Sequence, residues 1–206
     1  MRKLAASVVF IVSISVICLG ESKLIQVPIC RQATDYTCGV ASMQSVLGYY
    51  GMDQTRGDQR QDQLAKALKS TRGGGTSYKN MVAYASKKLN LDCEVKTGMT
   101  LDDLKGYIDI EQPVIVLIQA WNHDENHEYT LDDAKDGHYV VAVGYDTDKD
   151  WWLFMDPVIL GRYAYLTTKE LEARWHDKDK RETLVHFGLI IKGTPNYDPS
   201  KPLPIK

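Results

Sequence analysis

Residues 32–51 read QATDYTCGVASMQSVLGYYG, a polar segment followed by one cysteine and a helical pattern of apolar residues. From Cys38 onward the apolar side chains recur every three or four residues, as they do on one face of an α-helix. Gly51 follows the pattern, as glycine commonly follows a helix, and Thr37 is suited to cap its start. The apolar positions are Val40, Met43, Val46, Leu47 and Tyr50. The segment therefore predicts a helix with Cys38 in its first turn.

A thiol in the first turn of a helix is unusually acidic. The unpaired N–H groups and the positive end of the helix dipole stabilise the thiolate, so the pKa of such a cysteine can fall from about 8.5 to about 3.5–7.5. The thiolate is the nucleophilic form of the side chain. Cys38 is therefore predicted to be a catalytic nucleophile.

Three other residues are suited to complete a catalytic site around Cys38. His138, which follows Gly137 at the head of a predicted strand, is the candidate general base. Asp156 ends the next predicted strand, and antiparallel pairing would bring its carboxylate beside the imidazole, where it would orient the ring. Gln32 lies six residues before Cys38, and its side-chain NH2 could bind an oxyanion together with the backbone N–H of Cys38.

The rest of the chain predicts helices first and strands afterwards. Three further helices are predicted over 63–68, over 78–89 and from Thr100, and a capping box of Thr167 and Glu170 introduces a last one over 168–175. Strands are predicted over 113–120, 139–145, 151–155, 162–166 and 184–192, with a hairpin turn over 146–150. This order predicts an α+β domain in which a helical N-terminal half packs on an antiparallel sheet.

The N-terminus has the composition of a secretory signal peptide. Arg2 and Lys3 precede an uncharged, Val- and Ile-rich segment that ends at Gly20, and cleavage is predicted after Gly20. A membrane span is the alternative, and the segment would act as an anchor if it were not cut. Lipidation at Cys18 is disfavoured because bulky Ile17 precedes it. The predicted location is extracytoplasmic, either periplasmic or secreted.

Composition points to one soluble globular domain after the signal. Without Arg2 and Lys3 the remaining 186 residues carry 23 basic and 27 acidic side chains, a net charge of −4. This balance, with no basic patch, argues against nucleic acid as a partner, and no stable membrane insertion is expected after cleavage. Residues 193–206 hold four of the seven prolines and predict an extended surface arm. The predicted divisions are therefore 1–20, 21–192 and 193–206.

Export would place the cysteines in an oxidising compartment, which permits disulfides. After signal removal three cysteines remain, namely Cys30, Cys38 and Cys93. A Cys30–Cys93 disulfide would leave Cys38 as the single thiol. Two buried, reduced thiols are the alternative, and spacing alone does not decide between them.

At these motifs the chain resembles a known family, the bacteriocin-processing cysteine peptidases, which are family thirty-nine of the papain clan, and especially its stand-alone exported relatives. The resemblance covers residues 25–191 and begins with the Gln32 to Gly51 segment. It continues through GT at 75–76, QPVIV at 112–116, GHYVV at 137–141, GYD at 144–146 and MDP at 155–157. It implies a papain-like fold, a triad of Cys38, His138 and Asp156, Gln32 in the oxyanion hole, no cofactor, and a peptide or protein substrate.

One feature departs from the best-known members of this family. Those proteins lie on the cytosolic side of the membrane, fused to the exporter of the peptide that they trim after a double-glycine leader, whereas this chain carries its own export signal and no transporter segments. The expected activity is therefore hydrolysis, or transfer, at a peptide or amide bond through a thioester acyl-enzyme, without a double-glycine leader as the assumed substrate. The alternative is an exported binding or adaptor protein that uses the same scaffold without catalysis.

Three other motifs do not predict the sites that they superficially suggest. His123 and His127 are four residues apart, but Asp124 stands where the zinc-peptidase pattern requires glutamate. The alternating aspartates at 146, 148 and 150 lack the glycine and the bidentate glutamate of a calcium loop. The triple glycine at 73–75 lacks the Gly-Lys-Ser/Thr ending of a phosphate loop. We therefore predict neither a metal site nor a nucleotide site.

Overall fold

The computed structural model describes residues 20–52, 58–121, 128–132 and 136–201. Helices dominate its first half and antiparallel strands its second, so the predicted α+β class is confirmed. In chain order the elements are β1 (Ser22–Leu24), α1 (Cys38–Tyr49), α2 (Asp58–Ala67), α3 (Tyr78–Lys88), β2 (Cys93–Lys96), α4 (Leu101–Asp109), β3 (Val114–Gln119), β4 (Gly137–Asp146), β5 (Trp151–Met155), β6 (Ala164–Thr167), α5 (Thr168–Arg174), β7 (His176–Asp179), β8 (Glu182–Val185) and β9 (Gly188–Ile191).

The main sheet is antiparallel and has the strand order β2-β9-β3-β4-β5-β6. β4 is its longest strand and pairs along one edge with β3, from Gln119 opposite Gly137 to Val114 opposite Ala142. β1 pairs with the remaining residues of β4, and β5 pairs along its other edge with a register shift between Ala142 and Gly144. β7 and β8 form a separate two-stranded sheet.

Helix α1 packs against β4, and most of its residues are buried. Its sequence is apolar or small at most positions, which is the pattern of a helix inside a core rather than at a surface. The hydroxyl of Ser42 donates to the carbonyl of Tyr139 at 3.0 Å, which ties α1 to β4 one turn from Cys38. The fully buried apolar side chains of this helix are Val40, Ala41, Met43, Val46 and Leu47. The helix that carries the cysteine is therefore fixed by the core.

Local signals predicted several element boundaries correctly. Thr100 with Asp103 and Thr167 with Glu170 both form capping boxes at the starts of α4 and α5. The predicted turn between β4 and β5 is present, and Asp150 in that turn has a φ of 55°. α2 begins at Asp58 rather than at 63, which extends the predicted helix towards its N-terminus.

Other sequence expectations were wrong. Short strands β1, β2 and β7 were not predicted, and the single strand expected over 184–192 is divided into β8 and β9. The division falls at His186, whose φ of 46° is incompatible with a continuous strand. Thr37 is the N-cap residue of α1, but its side chain makes no capping bond to the helix because its hydroxyl is engaged with Thr34.

The chain ends lie partly outside the described residues. The predicted signal falls almost entirely within residues 1–19, which the structure does not describe. Among the described residues, no helix combines the length and apolar character needed to cross a membrane. Residues 193–201 of the Pro-rich tail form neither helix nor strand, and the N–H of Asn196 donates to the carbonyl of Tyr49 at 2.9 Å.

Candidate active site

Cys38 is the first residue of α1 and is half-buried. Its sulfur lies near the side chain of His138 and the backbone N–H groups of Tyr139 and Gly39, all of which favour the thiolate. A side chain at Gly39 would be crowded, because a Cβ there would lie 2.8 Å from Cβ of Thr76. The close approach of α1 to its neighbours therefore places the thiol against β4.

His138 lies near the start of β4 and is only 2% exposed. Its Nε2 donates to Oδ1 of Asp156 at 2.9 Å, which leaves Nδ1 as the ring nitrogen for the thiol. The sheet explains this contact, because β4 and β5 pair Val141 with Met155, so that Asp156 comes one residue beyond the pair. A residue opposite Val140 is a diagonal neighbour of His138 on the same face of the sheet.

Gly137 contributes a close approach rather than the flexibility that its position before His138 suggested. A Cβ at this residue would lie 1.7 Å from Oδ2 of Asp177. A larger residue would require the buried side chain of Asp177 to move. The glycine therefore holds the histidine strand close to β7.

The electrostatics of the site favour a thiolate and an imidazolium. Burial raises the pKa of Cys38, but the hydrogen bond and positive charge of His138, with two backbone N–H donors, lower it below its ordinary value. Burial lowers the pKa of His138, but its bonds to Asp156 and Cys38 raise it from 6.5 to about 9. The two shifts have opposite directions, so the proton resides on the imidazole over a wide range of pH.

Asp156 is held in its ionised form. Burial raises its pKa, but the hydrogen bond and charge of His138, with the N–H groups of Val158 and Ile159, lower the pKa below its usual range. The N–H of Val158 donates to the same Oδ1 that binds the imidazole, at 2.8 Å. The carboxylate is therefore fixed by its own loop as well as by the histidine.

Gln32 lies in the loop between β1 and α1, beside the Asp156 loop. Its backbone N–H donates to the carbonyl of Pro157 at 3.0 Å, and its side-chain Nε2 donates to the carbonyl of Thr34 at 2.9 Å. The bond to Thr34 uses one of the two amide hydrogens. Within the described part of the chain, Oε1 of Gln32 is buried and has no hydrogen-bond partner.

Trp121 is a neighbour of the site that sequence reasoning did not single out. Its indole lies 4.8 Å from the imidazole of His138, centroid to centroid, with a tilt of 58°. The side chain is 45% exposed, and its φ of 67° is in the left-handed region, uncommon for a residue other than glycine. The indole covers the imidazole at the surface. The unusual backbone φ is the one feature that distinguishes this residue, and a φ value cannot be read from the sequence.

The remaining motifs have different outcomes. His123 and His127 lie outside the described residues, and no group of three or more potential metal ligands occurs among those described. The 146–150 segment is the β4–β5 turn, where Lys149 pairs with Asp146. No disulfide joins Cys30 to Cys93, so the structure favours the reduced alternative for this pair.

The fold and the grouping of a thiol, an imidazole and a carboxylate belong to the papain-like class. Residues 24–182 match the model of the Peptidase_C39 like family, and the chain belongs to that family. The family predicted from the sequence motifs is therefore confirmed. The comparison with curated proteins found no match.

Solved structures show the same fold. A protein assigned as a C39-like peptidase from Bacillus anthracis is similar at 18% identity with a TM-score of 0.64, over 85% of this chain and 100% of that one. A double-glycine-motif protease from an AMS/PCAT transporter, in complex with a leader peptide, is similar at 19% identity with a TM-score of 0.52, over 84% and 95%. The peptidase domain of Streptococcus mutans ComA follows at 16% identity with a TM-score of 0.50, over 80% and 98%.

Proposed function

We propose that this chain is an exported cysteine peptidase that hydrolyses a peptide or amide bond through a thioester acyl-enzyme. The observation that carries the proposal is the grouping of Cys38 with His138, whose imidazole is hydrogen-bonded to Asp156, and the opposite directions in which the pKa values of the thiol and the imidazole are shifted. Such a pair supplies a nucleophile and a proton donor in one site.

Each member of the series has one role in the proposed reaction. The Cys38 thiolate attacks the carbonyl carbon and forms a C–S bond, and the His138 imidazolium then protonates the leaving amine as the C–N bond breaks. Neutral His138 next removes a proton from water, which attacks the thioester and releases the acid and the thiolate. Asp156 fixes the tautomer and orientation of the ring throughout.

Gln32 is proposed to stabilise the oxyanion together with the backbone N–H of Cys38. That N–H belongs to the first turn of α1, where backbone donors have no partner within the helix. The second hydrogen of the Gln32 amide supplies the other donor. A donor of this kind contributes about 10²- to 10³-fold in rate.

The proposed substrate is a peptide or protein. A structural neighbour is a peptidase solved in complex with a leader peptide, which supports a peptide-binding cleft on this fold. Export is proposed from the composition of residues 1–20, in which two basic residues precede an uncharged, apolar segment. Mass spectrometry of the exported protein tests this part, because a mature N-terminus at Glu21 is expected and one at Met1 would contradict it.

The activity is tested by profiling cleavage of the host cell's envelope proteins. Wild type, Cys38→Ala and His138→Ala are each incubated with an envelope extract, and new peptide termini are identified by mass spectrometry. Termini present only with wild type are expected. An identical set of termini with all three proteins would contradict the proposal and favour a binding or adaptor role for the scaffold.

A further inference from the structure

Gln61 on α2 is a buried polar residue that the proposed reaction does not use directly. Its side chain is only 6% exposed, and among the described side chains of this helix only Leu64, which is apolar, is also buried. A buried amide costs free energy unless its donors and acceptor are satisfied. The hydrogen-bond partners of this amide therefore indicate which part of the structure it stabilises.

The Gln61 amide is bonded through both of its ends. Nε2 donates to the carbonyl of Arg31 at 2.7 Å and to Oε1 of Gln44 at 3.1 Å, while Oε1 accepts a short hydrogen bond from the N–H of Ala33. Reversing the amide would set oxygen against two oxygens and NH2 against an N–H. The side chain therefore has one permitted orientation, and Gln44 anchors it to α1.

Two of these bonds hold the peptide groups on either side of Gln32. Arg31 and Ala33 are its immediate neighbours, and the N–H of Gln32 itself is bonded to Pro157, next to Asp156. The backbone at Gln32 is thus fixed from α2 on one side and from the Asp156 loop on the other. Only the rotation of the Gln32 side chain remains, and the bond to Thr34 restricts that rotation.

We infer that Gln61 is a positioning residue that sets the oxyanion donor Gln32, an inference that rests on the proposed function. An oxyanion donor acts only at hydrogen-bonding distance from the developing charge, and a displacement of about 1 Å can cost about 10²-fold in rate. Gln61 acts through the backbone of the Gln32 loop without touching the substrate. Its loss affects the steps that form an oxyanion and spares the Cys38–His138 pair.

Two reactions of Cys38 separate these effects. Acylation by p-nitrophenyl acetate forms a C–S bond through a tetrahedral oxyanion and expels p-nitrophenolate, whereas alkylation by iodoacetamide displaces iodide at a saturated carbon and forms no oxyanion. Both rates are measured for wild type, Cys38→Ala, Gln32→Ala, Gln61→Glu and Gln61→Met. Gln61→Glu keeps the size of the side chain, and Gln61→Met keeps its length without charge. Gln63→Glu is the matched control, since Gln63 is exposed on the same helix.

Both Gln61 variants are expected to acylate roughly 10- to 100-fold more slowly than wild type, with alkylation changed by less than about twofold. Gln63→Glu is expected to change neither rate. In the Gln32→Ala background, Gln61→Met is expected to have no further effect on acylation, because its effect passes through Gln32.

Three results would overturn the inference. Acylation at the wild-type rate in both Gln61 variants would do so, as would parallel losses of acylation and alkylation, which indicate general damage to the site. A further loss in the Gln32→Ala background would show that Gln61 acts by another route. If wild type acylates no faster than Cys38→Ala, the proposed function itself fails, and the inference with it.

Discussion

Two regions of this molecule contain a histidine with the same kinds of neighbour. His138 lies 4.8 Å from the Trp121 ring and is bonded to Asp156, while His186 lies 4.8 Å from the Trp175 ring and 3.5 Å from Glu172. The difference is at the other ring nitrogen. In His138 it is left for the Cys38 thiol, whereas Nδ1 of His186 donates to the carbonyl of Met99 at 2.9 Å.

This comparison shows that a carboxylate and an indole beside a histidine do not by themselves make a reactive site. Around His186 they support the fold, because Trp175 is fully buried and His186 joins the end of α5 to the loop before β9. Around His138 they lie beside the Cys38 thiol, which we propose to be the nucleophile.

The largest effect is expected for stability when Trp175 is truncated. Trp175→Ala removes a fully buried indole and the Nε1 donor of the Phe187 carbonyl, so the free energy of unfolding should fall by about 3–5 kcal/mol. Denaturant titration measures the loss. Alkylation of Cys38 in the molecules that remain folded should match wild type, and a loss below about 1 kcal/mol would contradict this structural role.

The next effect separates the two histidines. His138→Ala removes the proton partner of Cys38, so alkylation by iodoacetamide at about pH 6 should slow by about 100-fold as the thiol returns towards ordinary acidity. His186→Ala should leave that rate within about twofold, because the ring of His186 is bonded to Met99 and Glu172 rather than to the sulfur. Quenched alkylation followed by intact-mass analysis gives both rates. Equal alkylation rates in His138→Ala and His186→Ala would show that the two histidines do not differ in their effect on Cys38.

A smaller change is expected when only the charge beside His138 is removed. Asp156→Asn keeps an oxygen that can accept from Nε2 but loses the negative charge, so the pKa of His138 should drop from about 9, by roughly 1–3 units. NMR titration of the labelled histidine ring measures this pKa. An unchanged value in the variant would show that Asp156 does not support the imidazolium.

The raised pKa of His138 also predicts how stability depends on pH. The folded-state pKa of about 9 exceeds the ordinary value of 6.5, so the pairing contributes fully to stability below about pH 6.5 and is lost as the pH rises through about 9. Unfolding of wild type and His138→Ala should therefore differ most on the acidic side of this window. A constant difference across the window would contradict the assignment.

The smallest effect is expected at Trp121. Because this indole is half-exposed, Trp121→Ala should lower stability little, and the lost contact with the imidazolium should slow alkylation about two- to fivefold, since an exposed cation–π contact contributes about 0.5–1 kcal/mol. Trp121→Phe should recover part of the rate. If Cys38 in Trp121→Ala were alkylated at the wild-type rate, Trp121 would have no effect on the Cys38–His138 pair.

The sequence was sufficient for the parts of the fold with strong local signals. The apolar pattern after Cys38, the two capping boxes and the long apolar strands predicted α1, α4, α5, β3, β4 and β5 within a few residues. It was not sufficient for β1, β2 and β7, because strands of only three or four residues carry little periodic signal and depend on their partners for stability.

The sequence predicted the residues of the candidate site but not the neighbouring residues that hold them in place. Cys38, His138, Asp156 and Gln32 were identified from order, spacing and the family resemblance, and the structure groups the first three, with His138 bonded to Asp156 and close to the Cys38 thiol. Gln61 and Trp121 were missed because their contacts, with the 31–33 segment and with His138, join residues distant in sequence. Thr37 was predicted to cap α1, but its hydroxyl is bonded to Thr34 instead. This bond depends on the conformation of the loop, which residue spacing does not reveal.

The most direct test is the ultraviolet absorbance of the Cys38 thiolate during a pH titration, measured as the difference between wild type and Cys38→Ser. A thiolate signal already present at about pH 6 is predicted, and it should disappear in His138→Ala. A signal that emerges only at about pH 8.5 or above, with or without His138, would contradict the ion pair on which the proposed catalysis depends.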